Sequence, residues 1–192
     1  MIRSHIPASE ITLDTAELKR RLGEDYAATL EKYGSAVKEI TSGLTVRYSI
    51  GEVALDVCDE AIAIGDIHIT SAPLGRHLTG YKKVAVVALT LGVDADRLIR
   101  RYAVTGQTLG FVVDALLSVI ADSACLEICS SKVIGDHTAP FAIGYADTDT
   151  KYLPGLLKIA DPKGSLGITF TDSYLMIPTK SIVVIVGKCN EK

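Results

Sequence analysis

The sequence predicts an α+β fold, with a mixed or antiparallel twisted sheet packed on a long central helix in a single body over residues 1–192. Three observations carry this expectation. Helical and strand patterns come in blocks, without the regular alternation that builds a parallel sheet. Residues 107–132 are apolar almost all round, as a core helix is. Residues 84–89 are apolar and valine-rich, as a strand covered on both faces is.

The elements follow in order. Residues 14–22 fit a short helix, with Thr12 or Asp14 as its cap and Leu18 and Leu22 on one face. Residues 24–41 fit a second helix, carrying Ala27, Leu30, Ala36, Val37 and Ile40 and closed by Ser42-Gly43. At Thr45 the period changes to two: Val46, Tyr48 and Ile50 alternate with Thr45, Arg47 and Ser49. Val53, Leu55 and Val57 repeat that pattern after Gly51. Residues 61–64 and 67–70 pair around the turn dipeptide Gly65-Asp66, so the region reads as antiparallel ribbons. Ser71 caps a short helix over 73–78. Residues 94–102 form a helix with Leu98, Ile99 and Tyr102 inward. In the 107–132 helix Leu109, Val113, Leu116, Leu117, Ile120, Ala124 and Ile128 recur at helical spacing. An irregular stretch to about Asp149 leads to a short helix over 151–159, and strands at 167–170, 174–177 and 182–186 follow.

Composition excludes several classes. Apolar residues make up 48% and charged residues 22%, enough for a full core without disulfide or metal staples. A net charge of −3 argues against a nucleic-acid binder. The apolar run 84–93 is far short of the ~20 residues of a membrane span, and Asp114 interrupts 107–121, so no membrane partner is expected. The first residues lack the apolar region of a signal peptide, and four cysteines suit a reducing cytoplasm.

Chemical motifs are sparse. Cys125 and Cys129 share a helix face, but no second ligand pair accompanies them, so they read as small buried hydrophobes and no metal site is expected. Asp66-Ile67-His68 begins the Asp-x-His-x-x-Gly pattern of cobalamin-carrying modules, but Ser71 stands in place of its glycine. Phosphate-cradling glycine loops and a Gly-x-Ser-x-Gly elbow are missing, and spacing reveals no catalytic residues. Two segments remain. Gly144-Tyr145-Ala146-Asp147 offers close backbone approach and an aromatic ring. The stretch 167–181 interleaves strand residues with hydroxyls, as a turn or ligand rim does.

Together these segments resemble the reactivation domain of cobalamin-dependent methionine synthase, in the form of its short stand-alone bacterial relatives. Leu74-Gly75-Arg76-His77-Leu78, Ala88-Leu89-Thr90-Leu91-Gly92 and Asp96-Arg97-Leu98-Ile99-Arg100-Arg101 carry the first part of the resemblance. The core helix from Asp114-Ala115-Leu116 carries the second. Thr171-x-Ser173-x-x-Met176-x-Pro178-x-x-Ser181 with Gly187 carries the third, and the helical N-terminal segment 1–44 is not placed by these motifs.

The resemblance implies an accessory module that supports reductive methylation of a partner's corrinoid with S-adenosylmethionine. Cobalamin would sit on a methyltransferase partner and not on this chain, and electrons would come from a flavodoxin-like donor. The ligand would lie where loop 141–147 meets turn 171–176. Backbone groups of Ala142, Ile143 and Gly144 would contact its amino-acid end, Tyr145 would flank it, and Asp147, Thr171, Ser173 and Met176 would complete the rim. The family loop reads roughly Arg-x-x-Pro-Gly-Tyr; aligned on Gly144-Tyr145, Ile143 replaces the proline and Pro140 the arginine. A guanidinium pairs with a carboxylate and Pro140 cannot, so weak or absent S-adenosylmethionine binding is expected. Arg76 or His137 are the candidate replacement cations. One alternative is a docking or scaffolding module that has lost S-adenosylmethionine binding; another is a small independent enzyme using a cleft at Tyr145.

Overall fold

The computed structural model describes residues 2–131, 134–135 and 137–189. Strand β1 (Ile2–Pro7) leads through a 3₁₀ turn (Ala8–Glu10) to helices α1 (Thr15–Leu22), α2 (Tyr26–Lys32) and α3 (Gly34–Gly43). Strands β2 (Thr45–Cys58), β3 (Ala61–Ile64) and β4 (Ile67–Thr70) follow, then α4 (Ala72–Leu78), β5 (Lys83–Thr90), α5 (Gly92–Thr105) and α6 (Gln107–Cys129). The last elements are β6 (Phe141–Ala142), a 3₁₀ turn (Thr150–Tyr152), α7 (Leu153–Ala160), the small hairpin β7 (Thr169–Phe170) and β8 (Met176–Ile177), and β9 (Ser181–Lys188).

The α+β class is the one observed, and the strand pairs of the sheets are antiparallel. The main sheet runs β4-β3-β2-β5-β9-β6, and β1 pairs with β2 beside β3. The expected hairpin at Gly65-Asp66 is present, in the register Ile64↔Ile67. Ser71 caps α4, its Oγ accepting the Leu74 N–H at 3.1 Å. Asp14 caps α1, taking the N–H groups of Ala16 and Glu17.

Alternation along β5 explains why its sequence lacks a polar face. Ala85, Val87 and Leu89 enter one core with Val46, Ile50, Val184 and Val186 of the sheet and Leu116, Leu117 and Ile120 of α6. Val84, Val86 and Ala88 enter a second core with Val183, Ile185, Leu74, Leu78, Leu156 and Leu157. The sheet is therefore covered on both faces, by α1, α3 and α6 on one side and α4 and α7 on the other. The cover of β5 on both faces is as its sequence predicts, but the sequence reading named only the long helix and did not identify α4 and α7 as the second layer.

Other differences have local causes. The helix expected over 24–41 is two helices that part at Tyr33-Gly34, where the Tyr33 N–H bonds back to Thr29 and Glu31. The patterns on either side of Gly51 belong to one 14-residue strand. Strands β1 and β6 lay in stretches without a read pattern; β1 is mostly exposed, so its sequence needs no apolar alternation. Helix α6 ends at Cys129 among the described residues, and the expected terminus at Lys132 lies outside them. By length and composition α6 could cross a membrane, but 67% of its most apolar window is packed inside the chain.

Asp161, buried at the end of α7, joins the second core to β1. It accepts from Ser165 Oγ at 2.7 Å and Leu166 N at 2.6 Å, and pairs with Arg3 at 3.3 Å. Burial alone would raise its pKa; donation by Leu166 and Ser165, with the Arg3 charge, outweighs this and holds it below the ordinary value. Its stabilisation is thus fully present above the unfolded carboxylate value of ~3.9 and disappears as pH falls through the lower folded value. Asp161→Asn should be less stable than the parent at neutral pH in urea melts, with the gap closing as pH falls below about 4. A gap independent of pH would refute that assignment.

Candidate functional site

The irregular stretch after α6 is tied down at three points. Phe141 and Ala142 pair with Ile185 and Val184 on the sheet edge. Ile143 then turns into the second core and is buried. Gly144 follows at φ +98°, a backbone conformation open to glycine and strained for other residues. A Cβ there would also meet Thr150 Cγ2 at 2.9 Å. Thr148 closes the loop on itself: its Oγ1 accepts the Gly144 N–H at 3.1 Å and donates to the Tyr145 carbonyl at 2.7 Å.

Above this base Tyr145 is 73% exposed, the most solvent-facing aromatic ring of the loop. The Asp147 carboxylate accepts the hydroxyl proton of Ser71, the residue that also caps α4. The loop is therefore linked to the start of α4. The last turn of that helix reaches it too: His77 Nε2 lies 2.8 Å from the Ala139 carbonyl, and its ring centroid is 5.5 Å from that of Phe141.

His77 is the imidazole at this loop, and the sequence reading did not single it out. A signal was available: His77 lies one turn after buried Leu74, on the sheetward side of α4. The two cations favoured from sequence do not take this place. His137 bridges to Lys188 in the sheet and its Nδ1 contacts the Gly135 carbonyl at 2.6 Å. Arg76 is exposed on α4, without a hydrogen bond to the loop among the described residues.

The second segment is the turn between β7 and β8. Thr171 N donates to the Leu175 carbonyl, and Leu175 N donates to Thr171 Oγ1 at 3.1 Å. Thr171 and Ser173 hydroxyls lie 3.0 Å apart. Thr171 thus spends its hydroxyl on building the turn, and Tyr174 takes φ +61° at its tip. Met176 is half-buried against the second core, while Leu175 and Ile177 are exposed.

No hydrogen bond among the described residues joins 141–147 to 171–176. The turn Thr150–Tyr152 approaches Gly144 through Thr150. Its Lys151 has a raised pKa, owing first to the hydrogen bond with Asp149, with smaller contributions that include the Tyr174 phenol. Ile143, Tyr152 and Met176 all border the second core.

Cys125 and Cys129 are buried. The hydrogen bond with Cys129, and then burial, push the Cys125 thiol well above its usual range, which makes it an unreactive core group. Among the described residues no cluster of three or more His, Cys, Asp or Glu could hold a metal ion.

The geometry defines an α+β domain whose candidate ligand loop sits at a sheet edge. No family model and no curated protein matches the sequence. Among solved structures, the chain is similar to the crystal structure of the MetH reactivation domain bound to AdoHcy. The TM-score is 0.66 at 11% sequence identity, over 100% of this chain and 80% of that one. This likeness shows a shared fold.

Proposed function

We propose that the chain is an accessory module for a cobalamin-dependent methyltransferase, supporting reductive reactivation of a corrinoid on a partner protein. The observation that carries this reading is the likeness of fold over the whole chain to a domain solved with AdoHcy, the demethylated form of S-adenosylmethionine. When bound, S-adenosylmethionine supplies a methyl group that leaves a neutral thioether behind. The chain's own part is to bind and orient. The exposed backbone at Gly144 gives close approach, Tyr145 offers a ring face, and Met176 with the Thr171–Ser173 hydroxyls would border the ligand. Cytoplasmic placement and a flavodoxin-like electron donor accompany this reading.

One observation favours a second reading, a docking or scaffolding module without the ligand chemistry. Pro140 stands where the resembling loop carries arginine, and His77 is already engaged with the Ala139 carbonyl. Losing one charged pair costs ~1.5–3 kcal/mol, or about one to two decades in dissociation constant. Calorimetric titration with S-adenosylmethionine and AdoHcy should therefore give weak but saturable binding that Gly144→Val abolishes and Tyr145→Phe largely keeps. Saturation that survives Gly144→Val would place the site elsewhere. No heat with either ligand, together with co-elution with a corrinoid protein, would leave the docking reading.

A further inference from the structure

Helix α4 is a fixed post beside the loop that runs from Ala139 to Asp147. Leu74 and Leu78 are buried in the second core, and the Ser71 N–H donates to the Glu60 carbonyl at 2.9 Å. The helix lies directly on the β2–β3 turn, where a Cβ on Gly75 would stand 2.4 Å from the Asp59 carbonyl oxygen. From this post the loop is gripped at two places. Ahead of Gly144, His77 Nε2 lies 2.8 Å from the Ala139 carbonyl, and its ring packs on Phe141. After Tyr145, the Asp147 carboxylate accepts the Ser71 hydroxyl proton. Ser71 and His77 are six residues apart, about 9 Å along a helix axis.

Both grips answer a chemical need. Ser71 is 1% exposed, and its oxygen already accepts the Leu74 N–H. Its single proton needs an acceptor of its own, and Asp147 is that acceptor. The Ala139 carbonyl can only accept, so Nε2 of His77 carries the proton between them. Between the two grips the backbone is tightly folded, with Gly144 at φ +98° and Ala146 at φ +55°. A non-glycine residue keeps a positive φ where its surroundings impose it, and the residue after Ala146 is the one fixed to Ser71.

We infer that His77 and Asp147 are positioning residues of the ligand loop. Acting through α4, they set the separation of the loop's two ends. With it they set the exposed backbone of Gly144 and the ring of Tyr145 that would meet a ligand. Asp147 then acts through Ser71 and not as part of the ligand rim. The nature of the ligand rests on the proposed function, whereas the clamp itself is read from the loop alone.

Amide hydrogen exchange of the full chain reads the loop without any ligand, because the Gly144 N–H is held by Thr148 Oγ1. His77→Ala and Asp147→Ala should each speed exchange at Gly144 about two- to tenfold, the effect of one lost hydrogen bond, while amides of β5 keep the parent's rates. His77→Gln retains a donor and Asp147→Asn an acceptor, so both should recover most of the protection. Calorimetric titration with AdoHcy should follow the same order, with affinity down about two- to tenfold in the alanine variants and largely restored in the amide ones. Thermal melts separate a loosened loop from lost folding. His77→Phe, which keeps a ring without a donor, carries the test if His77→Ala fails to fold. Parent-like exchange at Gly144 in the folded alanine variants overturns the clamp, as do amide variants that exchange as fast as the alanine ones. An Asp147→Asn chain that keeps its loop protected but loses AdoHcy as Asp147→Ala does would return Asp147 to the ligand rim. No heat from AdoHcy with the parent chain would overturn the methyltransferase reading and leave the exchange rates to decide the clamp.

Discussion

Gly51→Ala is expected to destabilise the chain by about 3 kcal/mol or more. Gly51 sits in β2 with its missing side chain aimed at the end of α7. A Cβ there would stand 2.0 Å from the Ile159 carbonyl oxygen, 2.6 Å from its carbon and 3.1 Å from Ala160 Cα. These are backbone atoms, so no rotamer change relieves the clash; α7 must lift from the sheet. Lifting it would also strain the 2.6 Å bond from Ser49 Oγ to the Ala160 carbonyl and draw Leu156 and Leu157 from the second core. The gain from replacing a strand glycine, about 0.5–1 kcal/mol, is smaller and opposite in sign. Urea unfolding measures the balance. A midpoint equal to or above the parent's would show that α7 does not press on β2 in this way.

Leu116→Ala should cost about 2–5 kcal/mol. Leu116 is fully buried on α6, packed among the residues of the first core beneath β5 and β9. Truncation removes apolar contact and leaves a cavity that α6 cannot readily close, because it is packed between the sheet on one side and α1, α3 and α5 on the other. Phe111→Ala on the same helix serves as the contrast. Phe111 is 59% exposed, and its loss should stay within about 0.5 kcal/mol. Equal effects of the two substitutions would mean that α6 is not the core helix of the fold.

Periodicity revealed most of the elements whose stability depends on burial. The alternation after Thr45, the valine-rich run at Val84 and the leucine pattern around Leu116 each map onto β2, β5 and α6. Elements without a buried pattern of their own were hidden. Strand β1 is held by backbone pairing to β2 and exposes Ile2 to His5, so its residues carry little trace of the pairing. The short strand β6 is defined by its partner on β9. Gly51 has no positive φ and no turn; its reason lies more than a hundred residues away at Ile159.

The candidate ligand loop was legible as glycine and tyrosine chemistry; the structure adds a conformational reason for Gly144, its φ of +98°, that the sequence reading did not use. Its supports were not. Ser71 and His77 reach it from α4, across a distance in sequence that spacing does not bridge.

The position of β9 in the sheet has a consequence for how the chain acquires its shape. β9 lies between β5 and β6, yet a ribosome makes it after both. Until Ser181–Lys188 emerges, the outer edge of β5 has no partner, and both cores lack the residues from Val183 to Val186. Pairing across so long a stretch of chain is slow, because the intervening segment must first give up its freedom. During that interval an apolar strand edge is open to strands of other nascent chains, a liability for which chaperone capture is the usual cellular remedy.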